Sequence, residues 1–516
     1  PERISMPDID TDFSRERREE VVEYVRNKYG LDKVSNIVAF GTMGARGAIK
    51  DVARVYEIPF SVSNDISKMI PKEPNIKLDE AWDRVPALRD LINSDPKYIE
   101  IWNMAKQVEG LPRNISVHAS GVVICGVPIE EVAPTMTVDG ESVVQFDMDI
   151  VEEVGLIKMD FLGLRTLDII DYSSKFINER HNNDFNIDNI PLDDEATFRM
   201  LGEGKTGGVF QFESGGMTSY MHQMKPKSIL ELAVLNAMYR PGPMDYIPTY
   251  LRNRQNPAGI NYAVDTKEVR EILGETAGVI TYQEQVQKIF QELAGFTLGR
   301  ADIVRRAMGR KNEAIMNQEF QYFKEGYHNE EEDVHIPGTR ARGIPDAHAD
   351  EILGQMSEFA SYAFNKSHAV AYSFLAYQTA YLRCHYPLEF MAATISSWIG
   401  NNEKLSFYIG MASDMGIKLV SPDANISTHL FNPVGKDEII FALNGVKEVG
   451  GKVASSIVRE REKGGEFTSF FDFLTRTKKY SIGEKTIEAL IKVNALQFTG
   501  YNRFSLLAAL PDMNNI

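Results

Sequence analysis

The sequence has few cysteines, few tryptophans and no long hydrophobic run. Its 516 residues include two cysteines, Cys125 and Cys384, and three tryptophans. The cysteines are far apart and outside CxxC spacing, which argues against a disulfide framework or a structural zinc site and favours a reducing, cytoplasmic location. No window approaches the roughly 18 consecutive apolar residues of a membrane span. We therefore expect a soluble protein with no membrane partner.

Positive charge is also scarce on average. The chain has 56 Lys and Arg against 73 Asp and Glu, a net charge of -17, which by itself counts against a polyanionic ligand. The segment "GRADIVRRAMGRK", residues 299–311, is the exception, because it opposes five cations with the single Asp302. Local positive charge in an acidic chain keeps phosphate-bearing ligands among the candidates.

Length and pattern predict several domains of mixed secondary structure. At about 100 to 200 residues per domain, the chain has room for roughly two to four. Strand patterns alternate with helices up to about residue 165, helical spacing then dominates to about residue 400, and turn-forming residues near 417–435 precede a compact tail. The fold class that this pattern predicts is α+β, multidomain. Since the chain opens with Pro1 rather than Met, we expect a piece of a longer protein.

The stretch "SMPDIDTDF", residues 5–13, places three aspartates at every second position. On a strand Asp8, Asp10 and Asp12 would share one face, roughly 6.6 Å apart. Like charges held this close need a positive partner. In "VGLIKMDF", residues 154–161, Lys158 and Asp160 share one face of a second strand. Carboxylates from neighbouring strands can hold two divalent cations for phosphoryl transfer. The alternatives are a solvated acidic face and, for Lys158, a simple salt bridge.

The basic segment predicts a helix that begins near Ala301. Arg306 and Arg310 are four residues apart and so share a face, flanked by Arg305 and Lys311. We expect these cations to lack acidic partners four residues away and therefore to attract an anion such as a triphosphate. The alternative is an ordinary exposed charged face.

Two further motifs carry weaker signals. "AFNKSHAVAY" places Lys366 and His368 at the start of a long apolar helix, where a histidine can also be a capped or packed residue. In the tail, Gly445 and Gly450 lie between an apolar segment and a helix. This pattern is typical of a helix-hairpin-helix element, whose backbone N–H groups can bind a DNA phosphate; a plain helical turn is the alternative.

Nine motifs occur in one order along nearly the whole chain: "PDIDTDF", "FGTMGARGAIKDVARV", "VHASGVVI", "QFDMDIVEEVGLIKMDFLGLRTL", "GVFQFESGGM", "YRPGP", "TYQEQV", "RRAMGRK" and "FNKSHAVAY". Together they resemble the family of bacterial replicative DNA polymerases, the C-family α subunits of DNA polymerase III. "KMDFLGLRTL" is similar to the DnaE branch rather than the PolC branch.

The resemblance implies a polymerase-β-like palm at 1–40 and 116–165 and a helical thumb at 41–115. Helical fingers would follow at 166–430, and tandem helix-hairpin-helix units at 431–516. Family members also have a PHP domain, a palm strand with a Gly-Ser motif, an OB domain and a clamp-binding peptide, which we do not find in the sequence. We therefore expect an internal fragment, and its activity on its own is an open question.

The resemblance also implies site residues and partners. Asp8, Asp10 and Asp160 would bind two Mg²⁺ ions and be catalytic, whereas Asp12 is not a ligand in the family pattern. The ligands would be primer-template DNA and dNTPs, and the partners the sliding clamp, clamp loader and proofreading subunit. A DNA-binding module without activity and a two-metal nuclease remain the alternatives. The residues implied at the nucleotide are Lys158, Arg305, Arg306, Arg310, Lys366 and His368.

Overall fold

The computed structural model describes residues 9–73, 75–309, 312–330, 334–360, 363–480 and 482–513. These residues divide at Leu164 into two compact units, an amino-terminal and a carboxyl-terminal unit. Their secondary structure is mixed α and β, which confirms the predicted fold class. Among the described residues, no helix combines the length and the apolar character that crossing a bilayer requires.

The amino-terminal unit contains a mixed sheet and seven helices within its described residues. The sheet order is β1-β6-β3-β2-β5-β4. The strands are β1 (Ile9–Ser14), β2 (Val34–Thr42), β3 (Pro112–Ile124), β4 (Thr135–Val138), β5 (Glu141–Val144) and β6 (Ile157–Leu164). The helices are α1 (Arg18–Tyr29), α2 (Ala45–Val55), α3 (Phe60–Met69), α4 (Leu78–Arg84), α5 (Pro86–Asn93), α6 (Pro96–Val108) and α7 (Met148–Glu153).

Alternation along β1 and β6 separates an apolar face from a polar face. On the apolar face, the rings of Phe13 and Phe161 meet edge to face with centroids 5.6 Å apart. Both rings belong to a cluster that includes Val22 and Val25 of α1 and Val122 of β3. Because side chains on a strand alternate, burial of these residues directs the aspartates of both strands to the other face.

Helices α2 to α6 form an insertion between β2 and β3 with a core of its own. That core includes the fully buried Ile49, Ile66 and Leu88, and the rings of Trp82 and Trp102 lie 5.5 Å apart. The insertion lies in the segment that the resemblance assigns to a thumb, 41–115. The names palm, thumb and fingers, and the boundaries between them, stay predictions.

The carboxyl-terminal unit is mainly helical and carries two small sheets among its described residues. The strands are β7 (Tyr327–Asn329), β8 (Val334–Ile336), β9 (Lys418–Val420), β10 (Asn432–Val434) and β11 (Glu438–Ile440). The helices are α8 (Arg165–His181), α9 (Glu195–Gly202), α10 (Gly215–Met224), α11 (Ile229–Met238), α12 (Ile247–Gln255), α13 (Lys267–Leu273), α14 (Gln283–Ala294), α15 (Leu298–Gly309), α16 (Glu313–Glu325), α17 (Gly338–Ala341), α18 (Asp346–Ala360), α19 (Lys366–His385), α20 (Pro387–Ser397), α21 (Asn402–Asp414), α22 (Gly451–Gly464), α23 (Phe470–Thr477), α24 (Glu484–Lys492) and α25 (Arg503–Met513).

Helix α14 shows why this unit folds as it does. Its sequence repeats apolar residues at helical spacing, and Val286, Ile289 and Phe290 are all fully buried. The ring of Phe290 packs edge to face on Phe296 and on Phe323, at centroid distances of 5.1 and 4.9 Å. Aromatic pairs in this geometry add to the stabilisation from buried area.

The tail contains two similar turns that lead into helices. Gly450 precedes α22 with φ -73° and ψ 158°, and Gly483 precedes α24 with φ -70° and ψ 153°. The hydroxyl of Thr486 donates to the backbone carbonyl of Glu448 at 2.9 Å, so that the two turns contact each other. The apolar residues predicted on α22, Ala454 and Ile457 among them, are fully buried.

We predict that Phe290→Ala lowers the free energy of unfolding of the carboxyl-terminal unit by about 3–5 kcal/mol, because the change leaves a cavity among aromatic rings. Urea denaturation followed by circular dichroism measures the change. The control is Phe504→Ala, since Phe504 is 81% exposed and its loss should cost less than about 0.5 kcal/mol. Equal effects of the two substitutions would contradict the assignment of Phe290 to the core.

Candidate active site

Two of the three predicted aspartates can be located, and they lie side by side. Strands β1 and β6 are parallel, and their register pairs Asp10 with Asp160. Neighbouring strands are about 4.8 Å apart, and residues in register on parallel strands point to the same face. Asp12, on the same face of β1, is in register with Leu162. Asp8 lies outside the described residues, so its position beside the pair stays a prediction.

Asp160 is held by donors on both carboxylate oxygens. The side chain is buried, the Ser120 hydroxyl donates to Oδ1 at 2.7 Å, and the Lys158 ammonium lies 2.8 Å from Oδ2. Burial pushes the pKa of Asp160 upward, but the hydrogen bonds from Lys158 and Ser120 outweigh burial and hold that pKa below its usual range. Asp160 is therefore an anion at neutral pH, fixed in orientation.

The irregular stretch of β3 next to Asp160, where the register with β2 shifts between Val117 and Val122, was not predicted from the sequence. Gly121 of β3 is in register with Asp160, and its N–H donates to Nδ1 of His118 at 2.8 Å. A Cβ at Gly121 would lie 2.9 Å from Nδ1 of His118 and 3.0 Å from Cδ1 of Ile37, so a larger residue there would force these side chains to shift. The signal was in "VHASGVVI", where a glycine interrupts a strand and often indicates close approach of the backbone.

The basic helix differs from its prediction in two respects. Helix α15 begins at Leu298, not near Ala301. The expected lack of acidic partners is wrong, because Asp302 contacts Arg305 at 2.8 Å and Arg306 at 3.2 Å, three and four residues along the helix. One carboxylate thus neutralises part of the charge of two adjacent arginines. Arg310 and Lys311 lie outside the described residues.

Gln283, in the motif "TYQEQV", connects Arg305 to the start of α19. Arg305 donates to its Oε1 at 3.1 Å, and its Nε2 donates to the carbonyl of Ala363 at 3.0 Å. The backbone N–H of Gln283 also donates to the carbonyl of Phe364 at 2.9 Å. Two segments that the sequence analysis treated separately, the basic helix and "AFNKSHAVAY", are therefore neighbours within the carboxyl-terminal unit.

Lys366 and His368 begin helix α19 in distinct environments. The Lys366 ammonium lies 2.6 Å from Glu275. Asn365 caps the helix by accepting from the backbone N–H of His368 at 2.8 Å, and the His368 ring stacks on Tyr372 with centroids 4.2 Å apart. These contacts agree with the alternative of a capped and packed histidine, although His368 as a residue is exposed.

Arg240, in the motif "YRPGP", is a further cation of this region that the sequence analysis did not single out. Its guanidinium lies 3.5 Å from the centroid of the Phe364 ring, and burial lowers its pKa. The turn that follows requires Gly242, whose φ is 101°. We define the cationic cluster as four cations: Arg240 over the Phe364 ring, Arg305 at Gln283, its helix neighbour Arg306, and Lys366 at the start of α19.

Three segments of the chain match models of known protein families. Residues 1–163 match the family model described as bacterial DNA polymerase III alpha NTPase domain, and residues 166–331 match the bacterial DNA polymerase III alpha subunit finger domain. Residues 416–506 match a helix-hairpin-helix motif, which confirms the predicted element in the tail.

Similarity to individual proteins extends over the whole chain. The chain is 44% identical to a DNA polymerase III subunit alpha of Thermus aquaticus over 99% of its own length and 41% of the relative. It is 44% identical to that of Borreliella burgdorferi (99% and 43%) and 39% identical to that of Bacillus subtilis (99% and 44%). The chain therefore spans less than half the length of these curated relatives.

We predict that Lys158→Gln raises the pKa of Asp160, because burial then acts with one hydrogen bond fewer to oppose it. The carboxyl ¹³C shift of Asp160, followed by NMR against pH, measures this pKa. The control is Lys33→Gln, a lysine of the same unit whose ammonium contacts the carbonyl of Gly126. An unchanged Asp160 titration in the Lys158 variant would contradict the assigned contact.

The same shift has a consequence for stability. The pKa of Asp160 is lower in the folded protein than the roughly 3.9 of an unfolded aspartate. Its ionisation therefore stabilises the fold fully above about pH 4, and this contribution is lost as the pH falls through the folded-state pKa. In the Lys158→Gln variant we expect acid unfolding curves to depend less steeply on pH in this window.

Proposed function

Because the chain belongs to the bacterial DNA polymerase III α-subunit family, we propose that it acts in template-directed DNA synthesis, as a DNA-directed DNA polymerase that transfers dNTPs to a primer 3′ end. The observation that carries the proposal is the in-register pairing of Asp10 with Asp160 on adjacent parallel strands. Two carboxylates in this arrangement suit phosphoryl transfer assisted by divalent cations.

The donor chemistry fits Mg²⁺. Asp10 and Asp160 offer hard oxygen ligands, and the low pKa of Asp160 keeps it ionised at neutral pH. We propose Asp8 as the third ligand, because it is two residues before Asp10 in the alternating sequence. When bound, two Mg²⁺ ions would lower the pKa of the primer hydroxyl and neutralise charge on the phosphates.

The chain's own residues have separate tasks in this proposal. Ser120 and Lys158 orient the Asp160 carboxylate, and Lys158 is in addition a cation at the site of phosphoryl transfer, suited to a phosphate oxygen. Arg305 and Arg306, with Arg310, bind phosphates of the incoming nucleotide, and Lys366 lies near its base or sugar. His368 offers an exposed ring for stacking on its base or sugar. The turns at Gly450 and Gly483 hold DNA by backbone N–H groups that bind phosphate without reading sequence.

The surroundings of the chain are proposals of the same kind. The relatives named DNA polymerase III subunit alpha are more than twice as long as this chain. We therefore propose the sliding clamp, clamp loader and proofreading subunit as partners of the full-length protein. The cytoplasmic location and the palm, thumb and fingers assignments stay predictions from the sequence.

A nuclease with two metal ions would use similar carboxylates but would have no use for dNTPs. The cationic cluster of the carboxyl-terminal unit favours the polymerase, because a triphosphate carries enough charge to replace the present partners of its cations, Asp302 and Glu275. A radiolabelled primer annealed to a template, incubated with Mg²⁺ and the full-length protein, distinguishes the two. Lengthening of the primer only when dNTPs are present supports the polymerase, and shortening without dNTPs supports the nuclease.

We predict that Asp10→Asn in the full-length protein reduces primer extension by at least about 10³-fold, because loss of a carboxylate removes a metal ligand and the charge that opposes the cations. Primer-template binding, measured by filter retention, should change less than about twofold. The matched control is Asp12→Asn, on the same strand and face, which should keep most of the activity. Extension retained by the Asp10 variant would refute the site.

We further predict that Arg306→Gln raises KM for dNTPs by about 10- to 100-fold with a smaller change in kcat, since a charge-assisted hydrogen bond contributes about 1.5–3 kcal/mol. Steady-state extension at varied dNTP concentration measures both constants. The control is Arg270→Gln. Arg270 lies on helix α13, and its guanidinium is paired with the Asp265 carboxylate at 2.5 Å. Equal effects of the two substitutions would show that net charge, rather than the cationic cluster, sets KM.

A further inference from the structure

A second group of metal-ligating side chains lies in the carboxyl-terminal unit, at the end of α19 opposite Lys366. Asp194, Cys384 and His385 place a carboxylate oxygen, a sulfur and a ring nitrogen all within 4.8 Å of one another. We propose that these three residues form a binding site for a thiophilic divalent transition-metal ion such as Zn²⁺.

The carboxylate is fixed before any ligand arrives. Asp194 caps helix α9, because its Oδ2 accepts from the backbone N–H of Thr197 at 2.7 Å and from the Thr197 hydroxyl at 2.6 Å. The Asp194 N–H donates to the hydroxyl of Tyr377 at 3.2 Å, and this hydroxyl donates to the carbonyl of Pro191 at 2.5 Å. Tyr377 lies on α19, two turns before Cys384, so the helix that carries the sulfur also positions the carboxylate.

The His385 imidazole and the Asp194 carboxylate already face each other, and a cation can take the position between them. Nε2 of His385 lies 2.9 Å from Oδ2 of Asp194, and a proton between them occupies the place of the ion. The His385 ring is oriented by Tyr381, with centroids 4.4 Å apart. Capping and the His385 contact explain Asp194 and His385 without a metal. The Cys384 thiol is likewise held without a metal, by a side-chain hydrogen bond with Thr197, so all three donor atoms are fixed within 4.8 Å of one another before an ion binds.

The donor set selects the kind of metal. Thiolate and imidazole ligands favour Zn²⁺, Co²⁺ and similar ions over Mg²⁺, so this site and the carboxylates of the amino-terminal unit would bind different metals. Three protein ligands leave a fourth position for water, as in open zinc sites. The side chains of His385 and Asp194 are 33% and 20% exposed, which leaves an entry path.

Binding must release protons. Burial raises the pKa of the Cys384 thiol, and metal ligation requires the thiolate and the unprotonated imidazole nitrogen. We therefore expect the affinity for the metal ion to increase with pH. The bound metal would join the amino-terminal end of α9 to the carboxyl-terminal end of α19.

The test uses Co²⁺ as a spectroscopic probe of the full chain, stripped with chelator and purified without a histidine tag. We expect a thiolate-to-cobalt charge-transfer band in the near ultraviolet that saturates at one ion per chain. The band should vanish in Cys384→Ser and persist in Cys125→Ser, the matched control at the other cysteine. No band in the unchanged chain, or a band that survives in Cys384→Ser, would overturn the proposal.

Two further variants separate ligation from folding. Asp194→Asn keeps a good capping residue but loses the anionic ligand, and His385→Gln removes the imidazole. Each should weaken Co²⁺ binding by more than about tenfold, since the loss of a residue that only hydrogen-bonds to a metal ligand already lowers the metal affinity about 10- to 100-fold. Zn²⁺ should raise the melting temperature of the unchanged chain and not that of Cys384→Ser. Unchanged binding in both ligand variants would contradict the site.

Discussion

The register in which β1 lies beside β6 decides where every side chain of the two strands points. Because the period of a strand is two residues, a slip of one residue would bury Asp10 and expose Phe13. The edge-to-face contact of Phe13 with Phe161 and their packing on α1 make that slip costly. The apolar face therefore holds two carboxylates together that would repel each other, and the proposed chemistry depends on this packing.

The repulsion is opposed locally by a cation on the strand that carries Asp160. Lys158 is two residues before Asp160 and so shares its face, at 2.8 Å. Ser120 reaches the same carboxylate from β3. With both oxygens held, Asp160 has little rotational freedom to lose when it takes a new partner, which lowers the entropic cost of forming a site here.

The sequence was informative where a pattern is local. Alternation around Asp10 and Asp160 predicted the polar face, and helical spacing predicted the buried residues of α14. It could not identify the partners of these patterns: Ser120 is 40 residues from Asp160, and Gln283 is 80 residues from Ala363. Contacts of such separation depend on topology, which no local pattern encodes. The pairing of Asp302 is different, because its spacing of three and four residues to Arg305 and Arg306 on one helix is a local pattern that itself predicts ion pairs.

The carboxylate of Asp302 gives the cationic cluster a property that an open patch of arginines would lack. Asp302 already contacts Arg305 and Arg306. An incoming anion can therefore bind these arginines only by competing with the Asp302 carboxylate. A ligand with one phosphate carries little more charge than the Asp302 carboxylate that it must displace. A ligand with three or four negative charges can displace Asp302 and still contact neighbouring cations. Under the proposed function, this competition would set a minimum charge for a ligand, and the basic helix would then favour nucleoside triphosphates over their hydrolysis products.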